Sequence, residues 1–241
     1  MLTSEAALPV WHYSNPMDTD LRFLEISLPS ADVHASLEWY CALGFAELST
    51  TDIRRWHYGV VTDGNICLGL HAEGIDQCGL CFVRPELAAY VLAAQDLGTE
   101  FESTQLGIED FHEAMLRDPI GNCAVLVEAR TFSPGAESTP AGIGQLAQLE
   151  LPCMNVTESS AFWEGLGFIG VQSDGEDSAE LHMPGLTMRL KNGVRDLTLH
   201  FRPDNLHQTL ETLSLCGIEA RTTAEGQELR APEGTRLLLA D

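Results

Sequence analysis

Nine polar or aromatic side chains stand in strand-like runs and mark where this chain could do chemistry: Glu25, Trp56, Tyr58, His71, Gln148, Glu150, Arg189, Thr198 and His200. Side chains two apart on a strand share a face, so Glu25 goes with Ser27, His71 with Gly69, and Thr198 with His200. Glu25, His71 and His200 would form a two-histidine, one-carboxylate donor set for a divalent metal if strands from the two halves of the chain converge. The polar residues of the second half, Gln148, Glu150, Arg189, Thr198 and His200, read as the floor of one cavity. There the fork of Arg189 would grip a carboxylate or phosphate. The same residues also read as a buried network in which Arg189 pairs with Glu150. Trp56-His57-Tyr58 offers a face for stacking on a planar ligand, or for core packing. Cys78-Gly-Leu-Cys81 lacks a second pair and lies in a strand-like run, which reads as structural thiols rather than a zinc or redox site. Nucleotide-binding glycine loops, the Gly-x-Ser-x-Gly elbow and His-Glu-x-x-His do not occur.

The elements that must position these residues come in duplicate. Glu25-Ile-Ser-Leu-Pro29 followed by Trp39-Tyr-Cys-Ala-Leu-Gly-Phe45 aligns without a gap on Gln148-Leu-Glu-Leu-Pro152 and Phe162-Trp-Glu-Gly-Leu-Gly-Phe168, at an offset of 123 residues. Later landmarks also pair: Leu87, Val91, Ala94 and Gly98 with Leu206, Leu210, Leu213 and Gly217 at an offset of 119, and Pro119 and Gly121 with Pro232 and Gly234 at 113. So long a period means two domain-sized copies, not a solenoid. Residues 1–20 read as an irregular arm, 21–130 as the first unit, 131–144 as a linker rich in Gly, Pro, Ser and Thr, and 145–241 as the second unit.

Within the first unit, Phe23–Leu28 alternates as a half-buried strand. An amphipathic helix follows, with Val33, Leu37, Tyr40 and Cys41 on one face, Ser30 or Asp32 as its cap and Gly44 at its end. Strand patterns at Phe45–Ser49, Trp56–Thr62 and Ile66–His71 complete a β-α-β-β-β module. A second module begins at Gly79–Val83, with a helix over Pro85–Leu97. The fold class is α+β, with four such modules paired two by two. Trp39, Tyr40, Phe162 and Trp163 read as core.

A strand with a polar residue, a helix ending in an aromatic-x-x-x-Leu-Gly-Phe signature, and a later Asp118-Pro-Ile-Gly-Asn122 turn together resemble the vicinal oxygen chelate superfamily, which includes glyoxalase I, bleomycin-resistance proteins and extradiol dioxygenases. The resemblance covers Leu21 to Asp241. It implies two glyoxalase-like units whose mixed sheets curl into ligand-holding cups, closed either within a unit or by exchange of strands between units. It also implies metal ligands on the first and last strand of each module. Those positions hold Glu25, Gly69, Gly79 and Val125 in the first unit, and Gln148, Arg189, Thr198 and Leu238 in the second. Only Glu25 and Gln148 are donors of the superfamily's kind, and Arg189 is a permanent cation. The expectation is therefore a cup that binds a small molecule without a metal, in a sequestration or resistance role. The alternative is a lyase, isomerase or ring-cleaving dioxygenase with a rebuilt Fe, Mn, Ni or Zn site using Glu25, His71 and His200.

Composition narrows the partners. Thirty-six acidic residues against 13 basic ones give a net charge of −23, with a single lysine, Lys191. Nucleic acid and anionic membranes need clustered cations and are not expected. Scattered acids read as a solvated surface, with attraction of a cationic ligand as the alternative. No apolar run is long enough to span a bilayer. The absence of a signal-like N-terminus and an odd count of seven cysteines point to the reducing cytoplasm. A monomer or homodimer is expected.

Overall fold

The computed structural model describes residues 20–51, 55–133, 141–173 and 175–240. Apart from Asp20 the expected N-terminal arm lies outside these residues, as does the middle of the expected linker, 134–140. The first unit contains β1 (Arg22–Pro29), α1 (Val33–Ala42), β2 (Ala46–Leu48), β3 (Tyr58–Thr62), β4 (Cys67–His71), β5 (Gly79–Val83), α2 (Leu87–Asp96), β6 (Ser103–Gln105), β7 (Glu113–Arg117) and β8 (Cys123–Val127). The second repeats the order: β9 (Gln145–Cys153), α3 (Val156–Gly165), β10 (Ile169–Ser173), β11 (Ser178–Met183), β12 (Leu186–Asn192), β13 (Thr198–Arg202), α4 (Leu206–Leu215), β14 (Arg221–Thr222), β15 (Gln227–Arg230) and β16 (Arg236–Leu239).

Each unit is one eight-stranded mixed sheet, ordered β2-β3-β4-β1-β5-β8-β7-β6 in the first and β10-β11-β12-β9-β13-β16-β15-β14 in the second. The two modules of a unit join through their first strands, β1 antiparallel to β5 and β9 antiparallel to β13. The cups therefore close within units, and no strand crosses from one sheet to the other among the described residues.

Local chemistry sets the element ends. Asp32 caps α1 by accepting the Ala35 N–H at 3.0 Å, whereas Ser30 is taken up by the Ser36 hydroxyl at 2.9 Å. Gly44 stops α1 at φ +95°, where a Cβ would stand 2.6 Å from the Gly142 nitrogen. Cys41, expected on the buried face, is exposed because the helix turns only Val33, Ser36, Leu37 and Tyr40 inward. Tyr40, Phe162 and Trp163 are core residues as expected, while Trp39 is half-buried.

The helix-facing sides of both sheets share one apolar core, from Ile26 and Phe82 to Leu151 and Phe201. Matching aromatics lock the units together: Phe45 stacks edge-on to Phe201 at 6.0 Å, and its sequence counterpart Phe168 to Phe82 at 6.3 Å. Glu233 accepts from Tyr40 and Ser36 across the same junction, at 2.8 and 2.7 Å.

The opposite, concave faces differ sharply. In the first unit every residue of β3 and β8 is buried. In the second, β11 and β12 alternate buried and half-buried residues, the pattern of a sheet open on one side.

Candidate functional site

The first concave face is closed. Thr131–Ser133, the start of the expected linker, pairs with Ser49–Thr51 through Thr51 N–H to Thr131 O at 3.1 Å and Ser133 N–H to Ser49 O at 3.0 Å. Phe132 is thereby laid onto an apolar cluster with Leu48, Val60, Val125 and Val127. Beneath it lies Glu25, fully buried. Its Oε1 accepts from Ser27 at 3.1 Å and from His71 Nε2 at 3.0 Å, and its Oε2 accepts from the Tyr58 hydroxyl at 2.5 Å. Tyr58 also lies 3.0 Å from the Thr131 hydroxyl. Trp56 donates its indole N–H to His71 Nδ1 at 3.5 Å, and an indole can only donate, so the His71 proton sits on Nε2, facing Glu25. Burial, reinforced by the Glu25 charge, pushes the Tyr58 phenol far above its usual range and keeps it a neutral donor. A cavity of about 150 Å3 lies outside this cluster, lined by Arg55, Trp56, Asp110 and Phe111.

Close approach explains the two glycines at positions where the resemblance implies metal ligands. A Cβ on Gly69 would stand 2.3 Å from Glu25 Oε1, and one on Gly79 would stand 2.2 Å from the Cys123 carbonyl.

The second concave face carries a charged lattice. Register places Arg189, Glu150, Thr198 and Arg236 side by side across four strands, with Gln148, His200 and Leu238 in the adjacent row. The expected Arg189–Glu150 pair does not form. Lys191, two residues on and on the same face, reaches Glu150 at 3.2 Å, while Arg189 lies 3.8 Å from Glu180. Gln148 donates to Glu180 at 2.9 Å. Arg236 binds Glu228 through Nε at 2.8 Å and Glu225 through Nη2 at 2.6 Å, and its Nη1 lies 3.5 Å from the Thr198 hydroxyl. The hydrogen bond from Arg236 holds the Glu225 carboxyl below the usual carboxylate range. His200 Nε2 is 3.8 Å from Glu150, too far for a hydrogen bond, and has no hydrogen-bond partner among the described residues. Burial pushes the His200 imidazole below its usual range, against the pull of Glu150.

The nine sequence-predicted residues thus divide. Glu25, Tyr58, His71 and Trp56 meet in the first cup; Gln148, Glu150, Arg189, Thr198 and His200 share the second. His200 does not join Glu25 and His71, because its strand belongs to the other sheet. The residues at hand do not fit a divalent metal. In the first cup the lone pairs of Glu25 and His71 are engaged by Tyr58, Ser27 and Trp56; in the second an ammonium holds Glu150. No group of three His, Cys, Asp or Glu suited to an ion occurs among the described residues.

Sequence reading overlooked Lys191, Arg236, Glu225 and Glu228. Lys191 was within reach, since it sits two residues from Arg189. Arg236 becomes visible only once β16 is registered against β13.

No protein-family model matches the sequence, and no curated protein matches it. Solved structures do. Homoprotocatechuate 2,3-dioxygenase from Brevibacterium fuscum, in an anaerobic complex with 3,4-dihydroxyphenylacetate, is similar with a TM-score of 0.64 and 15% identity over 91% of this chain and 80% of that one. A catechol 2,3-dioxygenase gives 0.59 and 13% over 91% and 88%. The duplicated module, the sheet order and this likeness together show that the chain has the fold of the vicinal oxygen chelate superfamily, built as two glyoxalase-like units in one polypeptide.

Proposed function

We propose that this protein holds a small molecule in the open cup of its second unit and does so with side-chain cations rather than a resident metal. The observation that carries this reading is Lys191: the only lysine of the chain projects onto a concave sheet face beside Arg189 and Arg236. Five of the 13 basic residues, Arg189, Lys191, Arg221, Arg230 and Arg236, lie on that face. A fixed cation can orient an oxygen ligand as a metal would, without open coordination sites. The first cup, packed around Glu25, serves as scaffold. Sequestration of a toxic compound is the biological role this suits. Cytoplasmic residence fits the odd count of seven cysteines. Among the described residues no helix is long and apolar enough to cross a membrane.

The test is native mass spectrometry of freshly isolated protein. Wild type should carry a co-purified small molecule that K191M lacks. An equally loaded K191M protein would reject the second cup as the site.

The likeness to extradiol dioxygenases supports a second reading, a metal-dependent lyase, isomerase or dioxygenase with a rebuilt site. It requires Glu25 to exchange its hydrogen bonds for a metal bond. Under it, E25A should lose both metal content and turnover.

A further inference from the structure

The hairpin turn between β14 and β15 delivers a carboxylate into the second cup. Its backbone is closed by Thr223 N–H to Gly226 O at 2.8 Å, and the Thr223 hydroxyl accepts the Glu225 N–H at 3.2 Å. This aims the Glu225 side chain inward. One oxygen, Oε1, lies 3.5 Å from Lys191 Nζ; the other, Oε2, accepts from Arg236 Nη2 at 2.6 Å. Each carboxylate oxygen therefore has its own cation, the arrangement a bound carboxylate or phosphate would adopt.

The two cations are held independently of Glu225. Arg236 is oriented by Glu228, which is 5% exposed, and by Thr198. Lys191 is anchored on buried Glu150. Glu225 itself is about half exposed, at 46%. Half-exposed ion pairs hold by a factor of about five or less. The clamp keeps its own anchors, and its present occupant is weakly held.

We propose that Glu225 is an internal stand-in for the ligand: the second cup takes a small organic oxyanion, a carboxylate or phosphate monoester, which displaces Glu225 from between Lys191 and Arg236. His200 Nε2, without a hydrogen-bond partner among the described residues, lies in the same cluster, 3.8 Å from Glu150. With Glu225 turned out, Lys191 and Arg236 keep Glu150 and Glu228 as counter-ions, and the donors that Glu225 had occupied are left open to an incoming anion despite the overall charge of −23. This inference rests on the second cup being the binding site and adds the class of ligand.

The experiment is calorimetric titration of the full chain with benzoate, phenyl phosphate and the neutral benzyl alcohol. The proteins are wild type, E225Q, and the E225Q/K191M double variant. E225Q removes the competing anion from an exposed turn and leaves the fold intact. It should bind benzoate or phenyl phosphate about tenfold tighter than wild type, from loss of competition and of like-charge repulsion. The double variant should lose that gain, and benzyl alcohol should be indifferent to all three. Which anion gains more distinguishes carboxylate from phosphate. Equal anion affinity in E225Q and wild type, or an equal gain for benzyl alcohol, overturns the displacement. If in addition a co-purified molecule persists in K191M, the second cup itself falls as the site.

Discussion

The carboxylate of Glu25 fills the space above Gly69, so that a Cβ on Gly69 would stand 2.3 Å from Glu25 Oε1. A position where the resemblance implies a metal donor is here reduced to a hydrogen atom, and the Glu25 carboxylate is the centre of a closed polar knot.

G69A should therefore be costly. The new methyl group meets a fully buried carboxylate held by three donors, so either the knot or the sheet must give. We expect a loss of about 2–4 kcal/mol in chemical denaturation. A loss below about 0.5 kcal/mol would mean that Glu25 is not held where the structure places it.

Y58F removes the short donor to Glu25 while leaving the ring. It should cost about 1–3 kcal/mol, because the buried carboxylate loses one of its hydrogen-bond donors. In a double-mutant cycle with E25Q the two changes should couple by about 1 kcal/mol or more. Additive effects would separate Tyr58 from the knot.

His200 predicts a pH dependence. Burial holds its folded-state pKa below the unfolded value of about 6.5. Between the two values the unfolded chain binds the proton and the folded one does not. The contribution is thus fully present above about pH 6.5 and lost as pH falls toward the folded value. Denaturation midpoints from pH 7.5 to 5 should fall more steeply in wild type than in H200Q, by at most about 1.4 kcal/mol per pH unit. Parallel curves would contradict a half-buried His200 held neutral.

The shared core should make the two units unfold together. F45A removes a ring packed against Phe201 and should cost about 3–5 kcal/mol. Trp39 and Trp56 in the first unit and Trp163 in the second should report a single transition in wild type. Two separated transitions would show the units to be independent.

Much of the architecture was legible because the chain repeats. Offsets of 123, 119 and 113 residues locate both units and all four modules before any contact is known. Pairing of partners was less legible. Arg189 and Lys191 share a face, and which of them reaches Glu150 depends on side-chain length and on where Glu180 sits across β11, neither of which periodicity encodes. The convergence of Glu25, His71 and His200 required crossed strands, and β1–β5 pairing within the unit forecloses it. Phe132 looked like part of a solvated connection because its neighbours are Gly, Pro, Ser and Thr. Yet a single phenylalanine in such a stretch is enough to fold it over an apolar hollow.

Metal content tests most directly whether the two cups work without a resident ion. Protein isolated without chelator and then equilibrated with Fe2+, Mn2+, Ni2+ or Zn2+ should, after gel filtration, retain well under one-tenth of an ion per chain by elemental analysis, and E25A should retain the same. Close to one ion per chain in wild type, lost in E25A, would contradict metal-free cups and establish Glu25 as a metal ligand.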